Sequence, residues 1–294
     1  MKTLSIKNNF LGLEKKYSTY ENSNIVILQA PFEKTVSYGK GTKNGPKEIL
    51  KASHYVEFFD EELNREICFE KGIATFEEIK LGKASAKKEI DRIYKEVKKQ
   101  IKANKFVVTL GGEHSLSLAP IKAHFEKYKN LSILQIDAHS DLRDSYEGNK
   151  YSHASVMARV TEFTKKIVQV GIRAQCKEEF DFIKQNKIKT FYMREIRNNK
   201  YGKNWQRKIV NELDKNVYIT FDVDGFDPSV IAATGTPEPG GLYWDETMAL
   251  LKQIGKQRNI VGFDVVELAP SKYHTSSNFN VAKLVYKMLN YSFM

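Results

Sequence analysis

The chain has 294 residues, of which 41% are hydrophobic and 28% are charged, and its formal net charge is +11. These proportions are ordinary for a soluble globular protein, and no apolar run reaches the roughly 18 residues of a membrane-spanning helix. The lysines are scattered among acidic residues, as at Lys87 and Lys98, and form no basic stripe with interleaved aromatic residues. The composition therefore excludes a membrane-spanning protein and argues against a nucleic-acid partner.

Short apolar runs rich in β-branched residues alternate along the chain with longer amphipathic stretches. The runs predict strands at residues 24–29, 106–110, 131–136, 167–172, 217–221 and 260–268. The amphipathic stretches predict helices at residues 84–103, 116–128, 205–213, 245–257 and 281–289. Strands that are apolar along their whole length and alternate with helices are typical of a parallel sheet covered on both faces. We therefore predict an α/β sandwich.

Compartment and domain organisation follow from simple features. The first residues, Met1 to Ile6, lack the apolar stretch and cleavage site of a secretory signal. Cys68 and Cys176 are isolated and form no pairing pattern, which suits a reducing compartment. No repeat, low-complexity segment or Pro/Gly/Ser linker divides the chain. We expect a cytoplasmic protein with one domain spanning residues 1–294.

Three short blocks follow predicted strands and bring together four carboxylates and two imidazoles. Their residues are His114, then Asp137, His139 and Asp141, then Asp222 and Asp224. Because the carboxyl ends of parallel strands meet at one edge of a sheet, we expect these side chains to converge on one cleft. In extended backbone, alternate residues also point to the same side. The blocks therefore predict one polar cluster.

This cluster predicts a site for two divalent metal ions. Burying four carboxylates without a counter-cation would cost several kcal/mol each in lost hydration. Oxygen-rich ligand sets with one imidazole per metal suit Mn²⁺ and similar ions, although iron or cobalt would also fit, and no cysteine lies nearby to favour zinc. Two such ions about 3.5–4 Å apart lower the pKa of a water between them and so provide a nucleophile at neutral pH.

The blocks lie within longer motifs that resemble the arginase/agmatinase family, the ureohydrolases. The motifs are Gly-Gly-Glu-His-Ser (111–115), Asp-Ala-His-Ser-Asp (137–141), Ser-His-Ala (152–154), Phe-Asp-Val-Asp-Gly-Phe-Asp-Pro (221–228) and Thr-Gly-Thr-Pro-Glu-Pro-Gly-Gly (234–241). Similarity extends from residues 35–52 to Val-Val-Glu-Leu-Ala-Pro (265–270), which is most of the chain. The resemblance implies a three-layer α/β/α sandwich with a mostly parallel eight-stranded sheet. It also implies a binuclear manganese site that hydrolyses a guanidinium group to urea and an amine.

The resemblance assigns two Mn²⁺ ions to the predicted ligands. One ion would take His114, Asp137, Asp141 and Asp222, and the other would take His139, Asp137, Asp222 and Asp224. Asp137 and Asp222 would then bridge the two ions. Three departures from the commonest family pattern leave these ligands intact. They are Glu113 for Asp, Ala154 for Gly, and Ala232-Ala233 for an Ala/Pro-Gly pair before Thr234.

Further roles are implied outside the ligand set. His153 matches a catalytic histidine that shuttles protons, and its near-neutral pKa suits proton delivery to the departing amine. Glu267 matches a carboxylate that binds the substrate guanidinium, which it would pair with bidentately. Thr236 lies where the family places a threonine beside that group. Asp227 and Asp264 are interpreted as structural residues.

The substrate is expected to be a small cationic guanidino compound. The sequence around Glu267 resembles agmatinases, so we expect hydrolysis of agmatine to putrescine and urea, a step of polyamine biosynthesis. Asp144 or Glu147 beside the substrate tail would favour an amine tail, as in agmatine or aminopropylagmatine. Arg143 pointing inward would favour a carboxylate tail, as in guanidinobutyrate. Alternatively, Arg143 and Asp144 would simply pair with each other.

Other interpretations stay open. In one, the chain acts on another guanidino or formimino compound, including arginine. In the other, it is an inactive metal-binding homologue. The resemblance further suggests a homo-oligomer, either a trimer or a hexamer.

Overall fold

The computed structural model describes residues 1–294, and one eight-stranded sheet runs through its centre. The strands are β1 (Ile25–Ala30), β2 (Ile73–Glu78), β3 (Phe106–Gly111), β4 (Leu131–Ile136), β5 (Ile167–Ile172), β6 (Lys189–Tyr192), β7 (Asn216–Asp222) and β8 (Asn259–Val266). Their order across the sheet is β2-β1-β3-β8-β7-β4-β5-β6. Every neighbouring pair is parallel, so the sheet is wholly rather than mostly parallel.

Eleven α-helices accompany the sheet. They are α1 (Lys15–Ser18), α2 (Gly45–Ser53), α3 (Ile67–Lys71), α4 (Ala86–Lys102), α5 (Leu118–Lys127), α6 (Val156–Val160), α7 (Lys177–Asn186), α8 (Met193–Arg197), α9 (Trp205–Glu212), α10 (Trp244–Gln257) and α11 (Thr275–Ser292). None of them is both long enough and apolar enough to cross a bilayer.

The helices cover both faces of the sheet, as β1 illustrates. All six residues of β1 are buried, and successive side chains of a strand point to opposite faces. Ile25 and Ile27 belong to a core that includes residues of α2, α10 and α11. Val26 and Leu28 belong to a second core that includes residues of α4. The predicted three-layer α/β/α sandwich is confirmed.

The two strands that the apolar runs did not predict lie at the edges of the sheet. Strand β2 ends in the exposed residues Glu77 and Glu78, and β6 has four residues of which only Phe191 is buried. An edge strand packs against one neighbour only, so it needs no continuous apolar run. The six central strands carry such runs and were predicted.

The connectivity places the carboxyl ends of β3, β8, β7 and β4 side by side. The strands β1 to β3 form one part of the sheet, and β4 to β7 form the other. Strand β8 lies between β3 and β7 and joins the two parts. The segments that follow these four central strands therefore meet at one edge of the sheet.

Candidate active site

The predicted site residues meet at this central edge. The segments at the ends of β3, β4, β7 and β8 supply His114, then Asp137, His139 and Asp141, then Asp222 and Asp224, and finally Glu267. A Cβ atom on Gly112 would lie 1.9 Å from the carbonyl oxygen of Phe32, so only glycine fits where the chain leaves β3. The predicted convergence is found.

His114 lies at the centre of a first cluster. Its Nδ1 is 3.0 Å from Oδ2 of Asp137, 2.9 Å from Oδ2 of Asp141 and 3.4 Å from Oδ2 of Asp222. All four side chains are buried. His114, Asp137 and Asp141 thus form a group that could hold a metal ion.

His139 lies at the centre of a second cluster. Its Nδ1 is 3.0 Å from Oδ2 of Asp224 and 3.7 Å from Oδ1 of Asp137. Asp137 therefore presents one carboxylate oxygen to each histidine, as a bridging ligand would. Asp222 is different, because its Oδ2 faces His114 but neither of its oxygens lies within 4.0 Å of a ring nitrogen of His139.

The buried carboxylates of the two clusters lie close together, so the clusters are stabilised by added positive charge. Burial and the carboxylate of Asp137 raise the pKa of Asp141 to about 7. Burial and the carboxylates of Asp224 and Asp137 raise the pKa of Asp222 well above its usual range. Burial alone would lower the pKa of His139, but the same two carboxylates raise it to about 12. Without metal ions, bound protons would supply this charge. Divalent cations, when bound, would replace those protons.

Hydrogen bonding behind His114 shows that its Nδ1 fits a metal ion. Asp264 accepts the hydroxyls of Ser117 (2.9 Å), Tyr218 (2.8 Å) and Thr220 (2.8 Å). Since the one hydroxyl proton of Thr220 is used there, Thr220 Oγ1 accepts Nε2–H of His114 at 2.9 Å. Nδ1 of the neutral ring then carries a lone pair, and it is buried without a hydrogen-bond partner. Asp264, interpreted from the sequence as structural, thus orients a predicted ligand.

Glu267 lies beside the first cluster in a left-handed backbone conformation, with φ at 65°. Its Oε1 accepts the backbone N–H of His114 at 2.6 Å, and no lysine or arginine pairs with it. Burial, followed by the carboxylate of Glu113, raises the pKa of Glu267 well above its usual range. A guanidinium group would supply the missing positive charge.

A cavity of about 250 Å³ joins these groups. Eight of the nine predicted site residues line it, including His153, Thr236 and Glu267. The ninth, Asp137, is fully buried between the two histidines. His153 begins a short 3-10 turn, His153–Ser155, and burial lowers its pKa while the carboxylate of Glu113 opposes that shift.

The acids of loop 142–150 do not lie where the sequence suggested. The Asp144 carboxylate pairs with Arg159 at 2.8 Å and with Lys150 at 3.4 Å, and neither Asp144 nor Glu147 lines the cavity. Of the alternatives that the sequence left open, the one in which Asp144 or Glu147 favours an amine tail is therefore not supported. Asp144 is held there by the buried guanidinium of Arg159, which also pairs with Glu162 at 2.7 Å.

Arg143 does line the cavity, but it has partners of its own. Its guanidinium lies 5.4 Å from the ring centre of Tyr146, and its Nε is 3.8 Å from Oε2 of Glu179. Arg143 therefore does not pair with Asp144. Glu179 is buried and also accepts the backbone N–H groups of Leu142 and Cys176.

Glu238 is an acid on the more exposed part of the cavity lining, here called the outer cavity, and it was not among the predicted site residues. It lines the cavity, no lysine or arginine lies within 4.0 Å of its carboxylate, and Nε2 of His139 lies 4.0 Å from its Oε1. Its place in the Thr-Gly-Thr-Pro-Glu-Pro-Gly-Gly motif was the available signal. Arg143 is the only lysine or arginine of the lining, so the cavity is predominantly acidic.

Arg173 was also missed, although it holds the site together. Its guanidinium donates to backbone carbonyl oxygens of Asp224 (2.7 Å), Phe226 (3.1 Å) and Glu238 (2.7 Å). It thereby ties the ligand segment after β7 to the loop that carries Glu238. No local pattern marks a residue whose partners are carbonyl groups 51 to 65 positions away in sequence.

Comparison with known proteins gives a consistent result. The arginase family model matches residues 23–290. The N(1)-aminopropylagmatine ureohydrolase of Synechocystis sp. is 35% identical over 280 residues, which cover 93% of this chain and 90% of that protein. The agmatinase of Bacillus anthracis is 33% identical over 284 residues, covering 94% of each.

A solved structure agrees with these relatives. The agmatine ureohydrolase of Thermoplasma volcanium superposes with a TM-score of 0.84 at 30% identity, covering 94% of this chain and 92% of that one. The family-model match over residues 23–290 includes every strand of the sheet and every residue that lines the cavity. The chain belongs to the arginase family, and it is an enzyme of the ureohydrolase class.

Proposed function

We propose that the chain hydrolyses a guanidino compound with a cationic tail to urea and an amine, with agmatine as the first candidate substrate. The products would be putrescine and urea, which belong to polyamine biosynthesis. The observation that carries the proposal is the buried, unpaired carboxylate of Glu267 beside two His/Asp clusters in one cavity. A substrate cation would balance Glu267, and metal cations would balance the clusters.

Two divalent ions, Mn²⁺ in our proposal, would be held by the six ligands. His114, Asp137, Asp141 and Asp222 would bind one ion, and His139, Asp137 and Asp224 would bind the other, with Asp222 as a second bridge. When bound, the ions supply a water of lowered pKa as the nucleophile. The oxygen-rich donor set with one imidazole per ion supports manganese over zinc.

The residues of the chain would orient the substrate and move protons. Glu267 would bind the guanidinium and fix the position of its central carbon, with Thr236 beside it. Its backbone conformation stores strain of about 1 kcal/mol, as functional positions often do. His153 would donate a proton to the amine nitrogen as the bond between that nitrogen and the guanidinium carbon breaks, so that the amine leaves as the free base and is then protonated by solvent.

The outer cavity supports a cationic tail. Glu238 has no lysine or arginine partner, whereas Arg143 already contacts Tyr146 and approaches Glu179. A tail ammonium would therefore find an unpaired carboxylate, but a tail carboxylate would have to compete for Arg143. The similarity to the Synechocystis enzyme favours a second candidate, aminopropylagmatine, because that relative is named for this longer cationic amine.

A substrate panel tests this proposal. Urea release would be measured on manganese-loaded enzyme with agmatine, aminopropylagmatine, guanidinobutyrate and arginine. We expect urea only from the two substrates with cationic tails. Glu238→Gln should raise their KM roughly 3- to 10-fold, as loss of one partly exposed ion pair does. Asp144→Asn, a matched change outside the cavity, should not.

Two results would overturn the assignment. Urea from guanidinobutyrate alone would assign the tail to Arg143. No urea from any substrate, with two metal ions bound per chain, would discard the substrate class while keeping the metal site.

A further inference from the structure

A hydrogen-bonded chain leads from His153 to a fully buried carboxylate. Thr35 Oγ1 lies 3.2 Å from Nδ1 of His153 and donates to Oε1 of Glu113 at 2.7 Å. Glu113 directly precedes the ligand His114, whereas Thr35 belongs to the segment after β1. Three distant parts of the sequence thus meet behind the ring of His153.

The donors around Glu113 fix the direction of this chain. Its Oε2 accepts the backbone N–H groups of Lys34 (2.5 Å) and Thr35 (2.6 Å), and its Oε1 accepts the hydroxyls of Ser115 (2.6 Å) and Thr35. A carboxyl group surrounded by four donors acts as an ionised acceptor. The single hydroxyl proton of Thr35 is therefore used on Glu113, and Thr35 Oγ1 must act as an acceptor toward His153.

An acceptor beside Nδ1 selects one tautomer of the imidazole. The backbone N–H of His153 also donates to Thr35 Oγ1, at 3.0 Å, so one oxygen holds both the backbone and the ring. In the neutral ring the proton then lies on Nδ1, and Nε2 carries the lone pair. Nε2 can accept a proton and pass it to the departing amine nitrogen, while Nδ1–H remains bonded to Thr35.

We propose that Glu113 and Thr35 are positioning residues that hold His153 in the Nδ1–H tautomer. This inference rests on the proposed function, in which His153 protonates the leaving amine. Neither residue touches a reacting atom, and both act through the imidazole, as the acidic member of a Ser-His-Asp triad does. The carboxylate of Glu113 would also stabilise the transient imidazolium, since it opposes the effect of burial on His153.

The departure from the usual family aspartate has a physical consequence here. One methylene fewer would withdraw the carboxylate by about 1.5 Å. The 2.7 Å contact with Thr35 would then exceed hydrogen-bond distance unless the backbone moved. The longer side chain of Glu113 lets it reach Thr35.

Glu113→Gln gives the sharpest test, because it keeps the shape and reverses one hydrogen bond. The amide oxygen of the glutamine side chain would accept the backbone N–H groups of Lys34 and Thr35, and its NH₂ group would then donate to Thr35 Oγ1. The freed hydroxyl proton of Thr35 would be donated to Nδ1 of His153, which selects the Nε2–H tautomer. We expect kcat to fall roughly 10- to 100-fold, within the range of proton-transfer defects, with KM nearly unchanged.

The tautomer is read directly from ¹⁵N imidazole spectra of histidine-labelled protein, with diamagnetic Zn²⁺ replacing Mn²⁺. The chain has only six histidines, and the signal of His153 is identified by its loss in His153→Gln. We expect Nδ1–H in the wild type and Nε2–H in Glu113→Gln. Thr35→Val should lower kcat similarly, whereas Thr35→Ser keeps the hydroxyl and should restore it. Ser115→Ala removes the other hydroxyl partner of Glu113 and should keep the Nδ1–H tautomer.

The outcomes separate this inference from the proposed function. The positioning role of Glu113 and Thr35 would be overturned if the wild type is active and Glu113→Gln keeps both the His153 tautomer and the kcat of the wild type. Full activity in Thr35→Val would overturn it as well. A wild type that is inactive on every guanidino substrate but shows the tautomer change would overturn only the proposed function. If Glu113→Gln does not fold, the Thr35→Val and Thr35→Ser pair decides alone.

Discussion

Asp137 is the residue whose two carboxylate oxygens face the two histidines of the site. Asp137→Asn would replace one ligand oxygen by an amide nitrogen without a lone pair and remove the shared negative charge. We expect the affinity for metal to fall at least ~100-fold and activity to fall with it. Metal content per chain, measured by mass spectrometry after dialysis, checks this. Asp144→Asn is the control, and two tightly bound ions in Asp137→Asn would contradict the ligand assignment.

Asp264 controls the same metal site from a greater distance. In Asp264→Asn, an amide NH₂ facing Thr220 would turn the Thr220 hydroxyl toward Nε2 of His114. The ring would then carry its proton on Nδ1, where the lone pair should bind metal. We expect metal affinity to fall roughly 10- to 100-fold, as measured by competition with a chelator. Tyr218→Phe removes only one donor to Asp264 and should lower metal affinity less. Equal metal affinities in wild type and Asp264→Asn would exclude this role of Asp264.

At the level of elements, Arg173, which directly follows β5, joins the segment after β7 to the loop that carries Glu238. Its guanidinium donates to carbonyl oxygens after β7, in β5 and in the Glu238 loop. Arg173→Met would leave these carbonyl groups without their charged donor, so we expect the free energy of unfolding to drop by about 2–4 kcal/mol. Arg207→Met, at an exposed position where the side chain has no hydrogen-bond or ion-pair partner, should change it by less than about 1 kcal/mol. Urea unfolding of both variants measures the difference, and equal losses would exclude the joining role.

The sequence predicts those elements whose physics is local. Buried central strands such as β4 can be predicted from the sequence, because each of their side chains must be apolar or have its hydrogen bonds satisfied inside the protein. Helix α11 begins at Thr275, six positions before the predicted helix, because its first turns are polar. Edge strand β6 carries too little buried surface to leave a pattern.

The site divides in the same way. Asp137 and Asp222 were found because each ends a central strand within a distinctive motif. Glu113, Thr35 and Arg173 act through hydrogen bonds to residues more than 50 positions away, which no local pattern reports. The role of Asp144 stayed open because its partner, Arg159, lies on α6, a helix that the apolar pattern did not predict.

For the whole molecule, one buried histidine makes folding stability depend on pH. His124 is fully buried, its Nδ1 contacts the carbonyl oxygen of Pro120 at 2.7 Å, and its Nε2 has no hydrogen-bond partner. Burial lowers its pKa from 6.5 to about 4. Below about pH 6.5, His124 therefore binds a proton in the unfolded chain but not in the folded chain. The free energy of unfolding falls as the pH drops toward 4.

This linkage predicts a measurable loss. Between pH 7.5 and pH 5, His124 should reduce the free energy of unfolding by about 2 kcal/mol. Because other groups titrate in this range, the test compares the pH dependence of wild type and His124→Asn in chemical denaturation. The variant should lack this component. His274→Asn, at an exposed position, should keep it, and parallel curves for wild type and His124→Asn would rule out the effect.

The position of β8 has a consequence for how the protein is made. Strands β1 to β3 and β4 to β7 leave the ribosome as two separate groups, and only Asn259–Val266 can join them. Until then β3 and β7 each present an unpaired apolar edge, which is a template for pairing with other chains. Nascent and prematurely terminated products are consequently the forms most prone to aggregate. The active centre, whose residues extend from His114 to Glu267, is assembled only after β8 has been translated.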